Sequence, residues 1–306
     1  MAKELHTFKN LSDSLRQLDI DSPDTYQNED FTIHNAALLP TSMPFITMNY
    51  RMEFFCLVFA KKAAGSYTTN DVKFGVEPGT VFFINPGHLS SNIWTVIDEL
   101  YLITFTESYL KKNVHADIFD EFPFLLSEVV NPRNFSDDEF RCFEDIYLQI
   151  NKEFNSNSVY KDKIISSLLV ALLIKVKDKF WQGYNPIYEG NKDSKLVSTF
   201  KINLEKHFRE LAAGKADKQL RVSDYATLQN LNESYLNSVI KSKTGKPIST
   251  WISDKMVSEA KSMLVKSKLS IKEIAFTLGF LEIAHFSTYF KKYTGNSPAD
   301  YRKSAQ

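Results

Sequence analysis

The feature that most constrains the fold is a pattern written twice near the C-terminus. The segment "VSDYATLQNLNESYLNSVIKSKTGK", from Val222, matches "IKEIAFTLGFLEIAHFSTYFKKYTGN", from Ile271. Val222 and Ile271, Ala226 and Ala275, and Leu231 and Phe280 stand 49 residues apart. Past the turn, Leu236 and Phe286, Ile240 and Phe290, Lys241 and Lys291, and Gly245 and Gly295 stand 50 apart. The second copy therefore has one extra residue at its turn or helix entry. A supersecondary unit present twice is not a solenoid. Each copy has the pattern of a helix-turn-helix, a short helix, a tight turn and a longer helix.

Local signals support this within each copy. Ser270 and Glu273 form a capping box, and Ile274, Ala275 and Leu278 form an inner face. Ala275 is small because the second helix must cross it closely. Gly279 falls where the turn demands positive φ; the first copy has Gln229-Asn230 there, and Asn is the next most tolerant residue. Phe286, Tyr289 or Phe290, and Tyr293 supply the core side of the second long helix, Gly295 ends it, and Pro298 blocks continuation. Between the copies Ile252, Met256, Ala260 and Leu264 recur at spacing four, predicting a connecting helix. The units are placed at about 222–245 and 270–295, with the connecting helix at about 248–267.

Charge separates the chain into unlike halves. Of 37 basic and 37 acidic residues, 19 and 10 fall between Ser194 and Gln306, a net of +9; the other 18 and 27 leave the preceding part at −9. A basic domain suits a polyanionic partner, because each phosphate contact releases counterions. The acidic half would be repelled by DNA and is expected to face elsewhere.

The first half reads as strands, then helices. "RMEFFCLVFAKKAAGSYTTNDVKFGVEPGTVFFINPGHLSSNIW" alternates short apolar runs with turn signals, and "ELYLITFT" follows, predicting a sandwich or small barrel. Ser136 and Glu139 then open a helix whose Phe140, Phe143, Ile146, Tyr147 and Ile150 share one face. A second helix, about 160–180, carries "LLVALLI". The pair is expected to pack on the strands, with a second copy of the chain as the alternative. Residues 182–194, Gly-, Pro- and Asn-containing, read as a linker between a domain at 1–181 and one at 195–306. No secretory signal or membrane-spanning run is present, and two separated cysteines, Cys56 and Cys142, fit a cytoplasmic protein without a disulfide framework or zinc site.

Catalytic patterns do not emerge. A metal-dependent barrel enzyme needs converging imidazoles, yet the strand-rich stretch offers only His88, with His34 and His115 expected outside the core strands. Neither nucleophile-elbow, zinc-protease nor phosphate-loop motifs occur. No enzyme activity, cofactor or metal is expected.

With these residues in hand, the chain resembles the AraC/XylS family of transcription regulators. "IKEIAFTLGF", "HFSTYFKKYTGNSPADYR" and "YLNSVIKSKTGK" carry the likeness over about 220–303. "VKFGVEPGTVFFINPGHLSS" is more loosely similar to the family's cupin-like domain. The resemblance implies an α+β multidomain protein. An N-terminal cupin-like β-barrel with flanking helices would serve effector sensing or dimerisation. A C-terminal all-α domain would carry two helix-turn-helix units. It further implies a sequence-specific regulator, commonly an activator, with double-stranded DNA as partner, a small-molecule effector, an RNA polymerase contact and a homodimer formed through the N-terminal half. A ligand-independent regulator, whose N-terminal half only dimerises or recruits a partner, stays open. Carried over by position, recognition helices at about 233–243 and 282–292 would present Ser234, Asn237, Ser238 and Lys241, and Ile283, Ala284, Ser287 and Thr288, to bases. Lys243, Lys291, Lys292 and Arg302 would meet phosphates, and His285 is read as packing on the helix surface rather than touching a base. Phe54, Phe59, Tyr67, Phe82, His88, Trp94 and Tyr101 are the candidate lining of an effector pocket.

Overall fold

The computed structural model describes residues 6–18, 20, 30–39, 41–69, 72–114, 118–126, 131–180 and 192–304. The N-terminal half is built on two long antiparallel strands, β5 (Phe55–Thr69) and β8 (Ser90–Phe105), paired along their lengths. Shorter strands attach to them. β6 (Val72–Val76) and β7 (Thr80–Ile84) pair with β5, and β9 (Arg133–Asn134) with β7. β2 (Phe31–Asn35), β3 (Phe45–Ile46) and β4 (Tyr50–Met52) pair with β8, and β1 (His6–Phe8) runs parallel to β4. Register shifts between Ala60 and Gly65 bulge β5, and such bulges bend a strand.

Both faces of the sheet are buried, which explains its near-continuous apolar strands. Along β5, Phe55, Leu57 and Phe59 point to one core while Cys56, Val58 and Ala60 point to another. The first core is roofed by α4 (Asp137–Phe154) and α5 (Lys161–Phe180), placing these helices on the sheet of their own chain. All five expected residues of α4 are buried, and Tyr147 stacks on Tyr101 at 4.4 Å between ring centroids. The second core lies between the inner sheet face and α1 (Leu11–Gln17). Among the described residues no pairing joins the end strands β1 and β9, so the expected closed barrel is an open sheet. The short strands hang from opposite parts of β5 and β8 instead of completing a ring. His34, expected outside the core strands, sits buried within β2.

Beyond β8 come the short helices α2 (Glu107–Asn113) and α3 (Ile118–Glu121). The C-terminal half is helical: α6 (Lys192–Ala212), α7 (Val222–Leu228), α8 (Glu233–Thr244), α9 (Ile248–Lys266), α10 (Ile271–Thr277), α11 (Ile283–Thr294) and α12 (Pro298–Ser304). Of the expected linker, 182–191 lies outside the described residues, and Lys192 to Ser194 already belong to α6. Pro298 opens α12, where its missing N–H costs nothing. One core joins both helix pairs through α6 and α9, with Phe200, Leu204, Met256, Ala260 and Leu264 between them. No helix among the described residues is long and apolar enough to cross a membrane.

Candidate nucleic-acid interface

The two helix pairs, α7–α8 and α10–α11, are built alike. Ala226 and Ala275 are buried where the longer helix crosses, and Leu236, Ile240, Phe286 and Phe290 fill the core beneath it. Asn230 (φ 54°) and Gly279 (φ 78°) hold the left-handed position of the two turns. A Cβ at Gly279 would meet the Gln219 backbone nitrogen at 3.1 Å, whereas Asn tolerates this conformation through its short polar side chain. Ser270 and Glu273 form the expected capping box on α10. The Asn232 side chain caps α8 by accepting from the Ser234 and Tyr235 amides.

With core positions fixed, the remaining faces of α8 and α11 match position by position. Ser234, Tyr235, Ser238, Lys241 and Ser242 are exposed on α8, and Ala284, His285, Thr288, Lys291 and Lys292 are exposed at the equivalent places on α11. Ile283 is exposed at the start of α11, and Ser287 is half-buried. Steps of one, four, seven and eight along a helix define one stripe, so each helix offers a continuous exposed surface. Basic residues in the last turns, Lys241 and Lys243 on α8 and Lys291 and Lys292 on α11, complement the carbonyl end of each dipole.

Several of the expected site residues also have partners within the chain. Asn237 is half-buried, and its Oδ1 accepts the Ile248 amide proton at 3.0 Å. Its Oδ1 is therefore engaged at the start of α9. Arg302 donates from Nε to Leu264 O at 3.0 Å and from an Nη to Leu269 O at 2.8 Å, tying α12 to the end of α9. It acts as a staple between these two elements. The Lys243 carbonyl accepts from Arg51 of the N-terminal half, so this end of α8 faces the sheet domain. His285 is largely exposed and does not pack; Tyr293, expected in the core, is also exposed. Tyr235, His285, Ser242 and Lys292 join the stripe through the register of the repeat itself, which pairs each with its counterpart 50 residues away.

The expected effector residues are scattered. Phe54, Phe82 and Trp94 line a cavity of about 140 Å³ between the inner sheet face and α1. Tyr67 stacks behind Phe82 at 4.7 Å. Phe59 and Tyr101 lie on the opposite face, against α4, because their strand parity is odd relative to Phe54 and Phe82. His88 is buried among Lys201, Arg51 and Lys243; desolvation, with those charges, holds its pKa well below the ordinary value. Among the described residues no cluster of three His, Cys, Asp or Glu could hold a metal ion.

A helix-turn-helix domain model matches residues 225–304. The Msm operon regulatory protein of Streptococcus mutans is 38% identical over 87 residues, 28% of this chain and 31% of the relative. The arabinose operon regulatory protein of Escherichia coli is 23% identical over 164 residues, 54% of this chain and 52% of the relative. The chain thus spans about a third to a half of the length of these relatives. Among solved structures, the C-terminal domain of AraT, a response regulator from Geobacillus stearothermophilus, is 28% identical, with 37% of this chain and 88% of that one covered at a TM-score of 0.33. ToxT from Vibrio cholerae is 15% identical, with 89% and 98% covered at a TM-score of 0.38. Residues 225–304 thus form a helix-turn-helix domain, similar in sequence to part of these operon regulatory proteins.

Proposed function

We propose that this protein is a sequence-specific transcription regulator in which α7–α8 and α10–α11 are two helix-turn-helix units, one chain gripping two adjacent major-groove segments. The carrying observation is the matched stripe on α8 and α11, two equivalent exposed surfaces spaced by a shared core. Ser234, Ser238 and Lys241 act as the main base readers, since hydroxyls donate or accept and an ammonium reaches guanine. On α11, Ile283 and Ala284 meet thymine methyls, while Lys291 and Lys292 hold phosphates. The cupin-like N-terminal half, residues 1–181, senses a small molecule in its cavity, and the exposed apolar residues Leu148, Val159, Tyr160 and Ile174 support a homodimer through the same half. Activation, through contact with RNA polymerase, is the expected sign of regulation.

Selection of bound sites from random DNA with the full chain tests this reading. A bipartite motif with centres about one helical turn, ~10.5 base pairs, apart is expected. A single short motif would remove α11 from base reading, and no enrichment at any salt concentration would overturn the proposal.

A further inference from the structure

Residues 213–221 join α6 to α7 and are tied down along their length. The Lys215 amide donates to Glu210 O at 2.8 Å and the Leu220 amide to His207 Nε2 at 3.2 Å, both partners lying on α6. Ala216 and Leu220 rest against the helical core. From this anchored stretch one side chain crosses to the second helix pair: Gln219 donates from Nε2 to Leu278 O at 2.9 Å. Leu278 closes α10, where carbonyls lack intrahelical partners. At the next residue, Gly279, a Cβ would stand 3.1 Å from the Gln219 backbone nitrogen and 3.2 Å from its Cγ. The entry to α7 and the turn between α10 and α11 are therefore in direct contact, and glycine lets them come this close.

The helix α9 also joins the two pairs. Asn237 of α8 holds its first residue, Ile248, and Arg302 of α12 holds the Leu264 carbonyl near its other end. A single helix sets a distance between two units but leaves rotation about its own axis. The apolar core they share favours burial without specifying a direction. A hydrogen bond to a carbonyl does specify one. Gln219 and Leu278 both lie outside α9, so the bond between them opposes that rotation.

We propose that Gln219 sets the spacing at which the two helix-turn-helix units read DNA, holding α11 at one distance and one rotation from α8. The proposal rests on both units reading DNA. Each base pair added between two sites moves them apart by about 3.4 Å and turns them by about 34°. Two recognition helices held at a fixed rotation therefore reject a site whose spacer is one base pair too long or too short. Gln219 is a positioning residue that lies outside the exposed stripes of both helices. It selects spacer length, not base identity.

The test uses the full chain and the bipartite site selected with it. Two further sites keep both half-motifs and carry a spacer one base pair longer or shorter. Affinities are read by fluorescence anisotropy at fixed salt, and spacer selectivity is the ratio of affinities for the selected and altered spacers. The wild type is expected to prefer the selected spacer by about tenfold or more, comparable to one mismatched base pair. Gln219→Met, of similar length but without the donor, should lose about threefold or more of that ratio, the worth of one hydrogen bond. Its affinity for the first half-motif alone should match the wild type. Gln219→Lys keeps a donor and should hold the ratio within about twofold of wild type, since its added charge acts on every site alike and cancels. The spacing role is overturned if Gln219→Met keeps the wild-type ratio, if the wild type accepts all three spacers equally, or if Gln219→Lys loses as much as Gln219→Met. Weaker binding of Gln219→Met to the first half-motif alone would also overturn it, because the side chain would then serve α8 itself. Selection of a single short motif, or of none, would strike the two-unit reading, a result distinct from all of these.

Discussion

The side chain of Asn237 and the backbone of Ile248 are joined across the end of the first helix pair, Oδ1 accepting the Ile248 amide proton at 3.0 Å. This bond serves one of the unpaired donors at the start of α9 and fixes the angle between α8 and α9. Asn237→Ala is therefore expected to destabilise the chain by about 1 kcal/mol, the usual value of a cap. It should weaken specific and random DNA equally. Denaturant unfolding with parallel binding to both DNAs checks this; loss confined to the specific site would return Asn237 to base reading.

Arg302 makes a similar point at the other end of α9. Its guanidinium holds the carbonyls of Leu264 and Leu269, and removing it leaves both without that donor. Arg302→Ala should cost about 1–3 kcal/mol of stability. The slope of log affinity against log salt should stay as in the wild type. A shallower slope would show that Arg302 reaches a phosphate after all.

These two residues show where sequence reading succeeds and stops. The repeat, the Ser270 and Ser136 capping boxes, the inner face of α4 and the left-handed Asn230 were all legible, because each depends on neighbours within a few residues. The candidate site was legible as two helices with an exposed stripe. The bonds of Asn237 and Arg302 were not legible, because a polar residue on a basic helix looks the same whether it meets DNA, a backbone amide 11 residues away or a carbonyl 38 residues away. Phe59 and Tyr101 were misplaced for a different reason. A strand buried on both faces gives no alternation from which to read its inner side. Arg51 offered no local signal, since its partners on α8 lie more than 190 residues along the chain.

Lys291 is exposed on the α11 stripe, one repeat away from Lys241. If it neutralises one phosphate, Lys291→Ala should weaken binding to every sequence and reduce the salt slope by about 0.9, the value for one counterion on duplex DNA. A salt titration against specific and random DNA measures this directly. An unchanged slope would remove Lys291 from the interface.

Burial of His34 makes stability depend on pH. Unfolded, the imidazole takes up a proton near its ordinary value of 6.5, while in the folded chain desolvation keeps it neutral down to about 4. Between these values the unfolded state binds more protons, so stability falls as pH falls from about 6.5 to 4, by order 3 kcal/mol for this group. His88 and His207 are lowered in the same direction and add to the loss. His34→Leu should retain distinctly more of its neutral-pH stability at pH ~5 than the wild type does. Equal losses in urea unfolding would show that His34 does not titrate across this window.

The paired glycines Gly245 and Gly295 provide an internal control for the contact between the two halves. Each ends its helix in the left-handed conformation, at φ 79° and 78°. Alanine at either position should therefore pay a similar backbone cost of about 1–2 kcal/mol. Their surroundings differ. A Cβ at Gly295 meets nothing within 4 Å, whereas one at Gly245 would stand 3.0 Å from both Cδ and Nε of Arg51. Gly245→Ala should accordingly push the guanidinium off the Ser242 and Lys243 carbonyls, and Gly295→Ala should leave it in place. Both variants should lose comparable stability in denaturant unfolding, but only Gly245→Ala should shift DNA affinity from that of the wild type. Equal DNA affinities in the two alanine variants would mean that the arginine's hold on α8 has no bearing on how the helix meets DNA.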